Sequence, residues 1–369
     1  MEPKATKRRP RDLGIEFGVF PTGPFNAITD VDGVLVGQVT LEDARLGMHT
    51  GVTAIRPHPG NVFEEKVPAG VFLGNAFGKM AGYPQVKELG NIETPIILTN
   101  TLSVGAGLEG VVEWTLSEPG NESVRSVNGL VGETNDGKVN DIRARFVKPE
   151  HVLEALRKAA SGPVDEGAVG AGTGTVAFGV KAGIGTASRV LPPNLGGWKV
   201  GVLVQANFGG ILSVKGVEVG LELGGWPGEK EMSEFRAADG SIMMVVATDA
   251  PLDARNLERV AKRAFMGMTR TGGVASNGSG DFVVAFSTAP EVRVRHTAPK
   301  LALEGAPTVR NDDMTPIFMA AIEATEEAVI NSLFAAEDAP TWDGKVIPAL
   351  PVERVLGMLR ERGVLKAGE

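Results

Sequence analysis

The chain has no cysteine at all. Disulfides, thiolate nucleophiles and cysteine-ligated metals are therefore excluded. Histidine is scarce too: His49, His58, His151 and His296 are the only four in 369 residues. None stands in an HExxH or other close pair, so a histidine-rich zinc site has no support. A Ser-His-Asp triad stays open, because such triads assemble from distant positions, but no histidine here has neighbours that recommend it. Aromatic residues make up 5% of the chain, and tyrosine occurs once, as Tyr83. No apolar run is long enough to span a bilayer. No apolar segment follows the basic start, Lys4 to Arg11, as a secretory leader would require. An excess of positive charge is missing as well. The net charge of −8 argues against nucleic acid and anionic membrane as partners, and the basic start reads as a solvated tail. Together these absences predict a soluble, cytoplasmic protein.

What is abundant is glycine, with 49 residues, against an apolar content of 43%. That combination suits a sheet-rich enzyme with tight turns and a sizeable core. Strands are expected near 34–39, 51–55, 71–73, 95–100, 199–205, 242–248 and 282–287, where β-branched residues run between turn signals. Helical periodicity marks 101–116, 150–160, 253–269, 315–336 and 352–362, with Asp253 as an N-cap. Within the glycine-rich stretch 167–190, alternating residues from Val176 to Ser188 predict two strands with a corner at Ala182-Gly183. A dinucleotide site would instead need a helix and a downstream acid. The order of elements, strands, helix, strands, then strand, helix, strand, helix, reads as one domain over 1–369, two sheets covered by helices.

One stretch carries a chemical possibility. Asp239-Gly240-Ser241 stands at the lip of the apolar run 242–248. Its bland reading is ordinary turn chemistry ahead of a strand. Its sharp reading is self-cleavage, in which the Ser241 hydroxyl attacks the Gly240 carbonyl and water then releases two chains. Glycine tolerates the strained conformations that expose a carbonyl. A serine freed at a chain start carries its nucleophile and an α-amine that titrates near 8, close to working pH. Local composition alone favours the turn.

Several stretches together resemble one family: GETNDGKVNDI at 132–142, GTGTVAFGVKAGIGTASR at 172–189, VQANFGG at 204–210, DGSIMMVVATDAPLDARNLERVAKRA at 239–264, TGGVASNGSGDFVVAFS at 271–287 and AAIEATEEAVINSLF at 320–334. They resemble, in order and over nearly the whole chain, the self-cleaving L-aminopeptidase/D-esterase and β-peptidyl aminopeptidase family. The resemblance implies an α+β fold, a four-layer αββα sandwich of two sheets flanked by helices. It implies a cut between Gly240 and Ser241, giving an α chain of 1–240 and a β chain of 241–369 that stay associated. It further implies assembly of several such heterodimers, usually four.

Residue roles follow from the same resemblance. Ser241 matches the nucleophile, with its freed amine as base. Ser279 and Asp281 match the pair that orients it and relays its proton, and two-residue spacing puts both on one face of an extended segment. Asn207 matches the amide that donates to the oxyanion, and Glu133 the carboxylate that receives the substrate ammonium, with Asn135 beside it in the substrate-binding loop. The bland alternatives are a loop-capping turn residue for Asp281, a strand-ending turn for Asn207 and a surface ion pair for Glu133. One departure stands out: Lys138 replaces an aromatic, often tyrosine, that relatives use at the oxyanion, so a backbone N–H or Lys138 itself would have to supply the second donor.

The implied activity is a serine-type aminopeptidase acting on small peptides, amides or esters through an acyl-enzyme on Ser241. Such chemistry needs no metal or organic cofactor. Two rivals are an acyltransferase like the ornithine acetyltransferases, which use threonine where this chain has Ser241, and an uncleaved, non-enzymatic homologue.

Overall fold

The computed structural model describes residues 9–224, 226, 240–297 and 307–366; Asp239, the first residue of the stretch singled out above, lies outside them. In the first part of the chain, β1 (Leu35–Asp43) and β2 (Met48–Arg56) form a hairpin, followed by the long β3 (Glu65–Ala76), β4 (Met80–Ala81), α1 (Tyr83–Leu89) and β5 (Asn91–Ile92). Then β6 (Ile96–Asn100) leads through α2 (Val104–Ser117) to β7 (Leu130–Thr134) and α3 (Pro149–Lys158). The next elements are β8 (Val176–Ala177), β9 (Val180–Lys181), β10 (Ile184–Val190), β11 (Lys199–Asn207) and α4 (Val219–Leu223). The last part holds β12 (Gly240–Thr248), α5 (Ala254–Arg270), β13 (Ser279–Ser287), β14 (Val294–Arg295), α6 (Thr315–Phe334), β15 (Ala339–Pro340), β16 (Val346–Ile347) and α7 (Val352–Glu361).

The strands form two main sheets. One has the order β1-β2-β6-β7-β4, the other β10-β11-β12-β13-β3, with β5 and β14 on β3. Each sheet has one parallel pair, β6–β7 and β12–β13. A parallel pair needs a crossover, and α2 and α5 supply it. Both faces of β12 are buried, which is why its sequence is a continuous apolar run instead of an alternation. Ile242, Met244 and Val246 pack with Leu257, Val260 and Ala264 of α5 and Ala321, Ala324 and Ala328 of α6. Met243, Val245 and Ala247 pack with Ile96, Leu98 and Leu130 of the other sheet. A third core joins that sheet to α2 and α3 through Val111, Val152 and Leu156. The layers therefore run helices, sheet, sheet, helices, which is the expected αββα sandwich.

Two contacts set how the sheets face each other. Gly132 of β7 lies so close to β12 that a Cβ on it would sit 2.3 Å from the Met243 methyl carbon. Gln205 of β11 donates across the gap to the carbonyls of Thr99, at 3.0 Å, and Ala171, at 2.9 Å. Asp253 caps α5 as expected, accepting from the Asn256 N–H at 2.7 Å.

Some boundaries differ from expectation. Residues 71–73 are the middle of a twelve-residue strand. β12 starts at Gly240 and β13 at Ser279, earlier than their apolar runs, because ladder hydrogen bonds are made by backbone whatever the side chain. β7, at 130–134, has no counterpart among the expected strands; its last three residues open the motif at 132–142. In the glycine-rich stretch, a Cβ on Gly183 would lie 1.7 Å from the Gly167 carbonyl oxygen, and one on Gly172 2.3 Å from the Ile184 nitrogen. Backbone fills the space those glycines leave.

Candidate active site

Three strand ends meet in the second sheet. Asn207 closes β11, Gly240 and Ser241 open β12, and Ser279 opens β13. In the ladder Asn207 stands opposite Ser241, Ser241 beside Gly280, and Gly240 beside Ser279. Residues directly opposed in an antiparallel pair project on one face with Cβ atoms about 4.5–5.5 Å apart, so Asn207 and Ser241 are neighbours by register. By alternation with Met243 and Gln205, that face looks toward the other sheet.

The Ser241 hydroxyl is buried and donates to the Gly240 carbonyl oxygen at 2.5 Å. It also accepts from the Gly280 N–H at 3.4 Å. The nucleophile of the proposed cut thus lies against the peptide group it would attack. Gly240 has no room for a side chain: a Cβ would stand 2.8 Å from the Phe208 Cα.

Asn207 accepts the Val176 N–H on Oδ1 at 3.0 Å. That bond fixes which way the amide points and leaves Nδ2, the donor, without a partner among the described residues. Ser279 donates to Asp281 at 2.6 Å. The other Asp281 oxygen is buried with no partner. Burial pushes the Asp281 carboxyl up to about 6, against the opposing pull of the Ser279 hydrogen bond. Among the described residues no hydrogen bond joins Ser241 to Ser279 or Asp281; the Gly280 N–H between them is what touches Ser241.

Glu133 comes from β7, in the facing sheet. It is buried, although the exposed Lys79 ammonium lies 3.7 Å from its Oε1. One oxygen accepts the Lys79 N–H at 2.9 Å, the other the Thr101 hydroxyl. Gly78 lies between this carboxylate and the strand end: a Cβ there would be 3.1 Å from Glu133 Oε1 and 3.3 Å from the Gly280 Cα. The site therefore spans both sheets. Asn135 is exposed, and its side chain accepts the Gly137 N–H at 2.9 Å, shaping its own loop. Lys138 is exposed.

Four supporting residues went unread in the sequence. Asp136 is buried, accepts from the Thr50 hydroxyl at 2.6 Å and the Asn140 amide at 3.1 Å, and is pushed up to about 6 by burial. Asn100 donates to the same Thr50 hydroxyl at 2.8 Å and accepts the Leu102 N–H at 3.1 Å. This network sets Thr101, which holds Glu133. Asn75 binds the carbonyls of Ser276, at 3.0 Å, Asn277, at 3.1 Å, and Ser279, fixing the turn into β13. Buried Lys181 donates to the carbonyls of Gly172, Thr175 and Ala182 at 3.2, 3.0 and 2.5 Å, which locks the loop that presents Val176 to Asn207. The Asn-Asp-Gly turn was the one local signal of any of these; the rest act on backbone far away in sequence.

The architecture is that of the Ntn-hydrolase aminopeptidases. The structure superposes on the L-aminopeptidase D-Ala-esterase/amidase of Ochrobactrum anthropi with a TM-score of 0.86 and 37% identity, covering 96% of this chain and 99% of that one. That enzyme is described as a prototype for the serine aminopeptidases and a variant of the Ntn hydrolase fold. A β-aminopeptidase from Burkholderia sp. gives 0.88 and 40%, with the same coverage. In sequence the chain is 43% identical over 381 residues to the β-peptidyl aminopeptidase BapA of Sphingosinicella microcystinivorans, covering 98% of this chain and 94% of that protein. Residues 26–347 match peptidase family S58. The chain belongs to that family and, as the resemblance implied, is an aminopeptidase.

Proposed function

We propose that the chain cuts itself between Gly240 and Ser241 and then removes N-terminal residues, β-aminoacyl ones included, from small peptides, amides and esters. The observation that carries this is the Ser241 hydroxyl at 2.5 Å from the Gly240 carbonyl oxygen, in register between Asn207 and Gly280. Ser241 Oγ adds to the Gly240 carbonyl, and the acyl group moves from nitrogen to oxygen. Water cleaves the ester, leaving Gly240 as a carboxyl end and Ser241 as an amino end. The α-amine is free only afterwards, so in the first event Ser279 and Asp281 take the Oγ proton, once the hydroxyl turns from the Gly240 oxygen toward them, and return it to the Ser241 nitrogen as the Gly240 C–N bond breaks. Asp281 suits that task, because burial has raised it to about 6.

In the mature enzyme the Ser241 amine serves as base. Asn207 Nδ2 donates to the oxyanion, and Glu133 holds the substrate ammonium, which restricts cutting to chain ends. The leaving amine departs, and water hydrolyses the acyl-enzyme. Residues 1–369 act as one catalytic domain of two associated chains. The names of the β-peptidyl relatives support the inclusion of β-aminoacyl substrates. Assembly of several heterodimers, four by the family resemblance, belongs to the same reading.

The test is a panel of p-nitroanilides of L-, D- and β-amino acids, each with a free and with an acetylated amine. The reading expects release from free-amine substrates, none from acetylated ones, and a KM at least tenfold higher in Glu133→Gln, the order lost with one buried charge-assisted contact. Equal cleavage of acetylated substrates would remove Glu133 from its role.

A further inference from the structure

The Glu133 carboxylate is 1% exposed, yet its oxygens meet only neutral donors, the Lys79 N–H at 2.9 Å and the Thr101 hydroxyl. Neutral donors leave the charge of a buried carboxylate unmatched. Among the described residues, one cation lies within ion-pair distance of it: Lys79 Nζ, 3.7 Å from Oε1. That separation is too long for a hydrogen bond, and the Lys79 side chain is 57% exposed. The backbone of Lys79 is thus fastened to Glu133, while its ammonium is held there only loosely. Phe77 and Gly78, the two residues before it, run alongside the start of β13: the Phe77 N–H donates to the Ser279 carbonyl at 3.1 Å, and Gly78 packs on Gly280. Lys79 therefore follows directly on the segment packed along the start of β13, where Gly280 stands beside Ser241.

We propose that Lys79 sets the affinity of the ammonium subsite: in the empty site its ammonium stands in for the substrate's own ammonium at Glu133, and binding displaces it. This rests on the reading of Glu133 as the ammonium receptor. A tethered competitor weakens the binding of every amine by the same factor and leaves the steps after binding untouched. It also keeps Glu133 charge-matched between turnovers. A displaced Lys79 swings to solvent, which its exposure permits.

The experiment compares wild type with Lys79→Met, Lys79→Arg and Glu133→Gln, using kcat and KM for β-alanyl p-nitroanilide and the inhibition constant of n-propylamine. Lys79→Met should lower both KM and the amine inhibition constant by roughly 2- to 5-fold, the range of a half-exposed ion pair, with kcat unchanged. Lys79→Arg, which keeps the charge, should stay near wild type. Should the Met variant fold poorly, Lys79→Gln makes the same comparison. Unchanged or higher constants in the charge-removing variant overturn the inference. If Glu133→Gln raises KM while the Lys79 variants change nothing, only the role of Lys79 falls. If Glu133→Gln leaves KM unchanged, the ammonium-receptor reading falls, and the role of Lys79 with it.

Discussion

Asn207 is held by its acceptor end and offers its donor end, because the Val176 N–H occupies Oδ1. In the proposed mechanism a donor so oriented costs no reorganisation when the oxyanion forms. Asn207→Ala should therefore lower kcat by about 10²–10³ with KM little changed, read by steady-state kinetics on an amide substrate. Asp281 carries a prediction about stability. Its carboxyl is raised to about 6 by burial, so the folded state keeps a proton that the unfolded chain releases near its ordinary value. Stability is then lost as pH rises from about 4 to about 6, by up to roughly 3 kcal/mol for a shift of this size. Asp281→Asn lacks this loss. In urea melts of the uncleaved Ser241→Ala protein, adding Asp281→Asn should give a relative stability that climbs as pH goes from 4 to 7, while Asp136, also raised to about 6, contributes equally to both proteins. A relative stability that is flat with pH would remove Asp281 from that titration.

At the scale of elements, close backbone approach decides much of the geometry. Gly185 of β10 faces α6 so tightly that a Cβ would lie 1.9 Å from the Ala328 carbonyl oxygen. Gly185→Ala should push α6 off the sheet and cost about 1–3 kcal/mol or more, seen as a lower midpoint in thermal melts. Helix α5 was legible in the sequence because its apolar stripe and the Asp253 cap are local signals. The strand carrying Glu133 was not: residues 130–134 are short and buried whatever their polarity, and their place is set by parallel pairing with β6 and by Gly132 meeting Met243. The resemblance named Ser241, Asn207, Ser279, Asp281 and Glu133. It did not name Thr101, Asn75, Gly78 or Lys181, which place those residues through contacts between elements far apart in the chain. The early starts of β12 and β13 matter most here, because they put Gly240 and Ser279 inside the ladder, where a turn was the simpler expectation.

Across the whole molecule, residues on the two sides of Gly240–Ser241 are interleaved. β11 pairs with β12 and β3 with β13, so the second sheet is shared by the segments before and after that bond. Buried Arg189 of β10 reaches Glu323 and Glu327 of α6 at 3.2 and 2.7 Å, and Arg11 pairs with Glu327 at 2.6 Å. Separating the two segments would expose the cores on both faces of that sheet and strand these charges. After cleavage, chains 1–240 and 241–369 should accordingly elute together on gel filtration and part only in denaturant. The central claim, that Ser241 opens the bond before it, is tested most directly by the intact mass of the purified protein under denaturing conditions. Wild type is predicted to give two masses, those of residues 1–240 and 241–369, and Ser241→Ala one mass, that of the whole chain. A wild type that stays a single chain through prolonged incubation, or a Ser241→Ala protein cut at the same bond, would contradict the account.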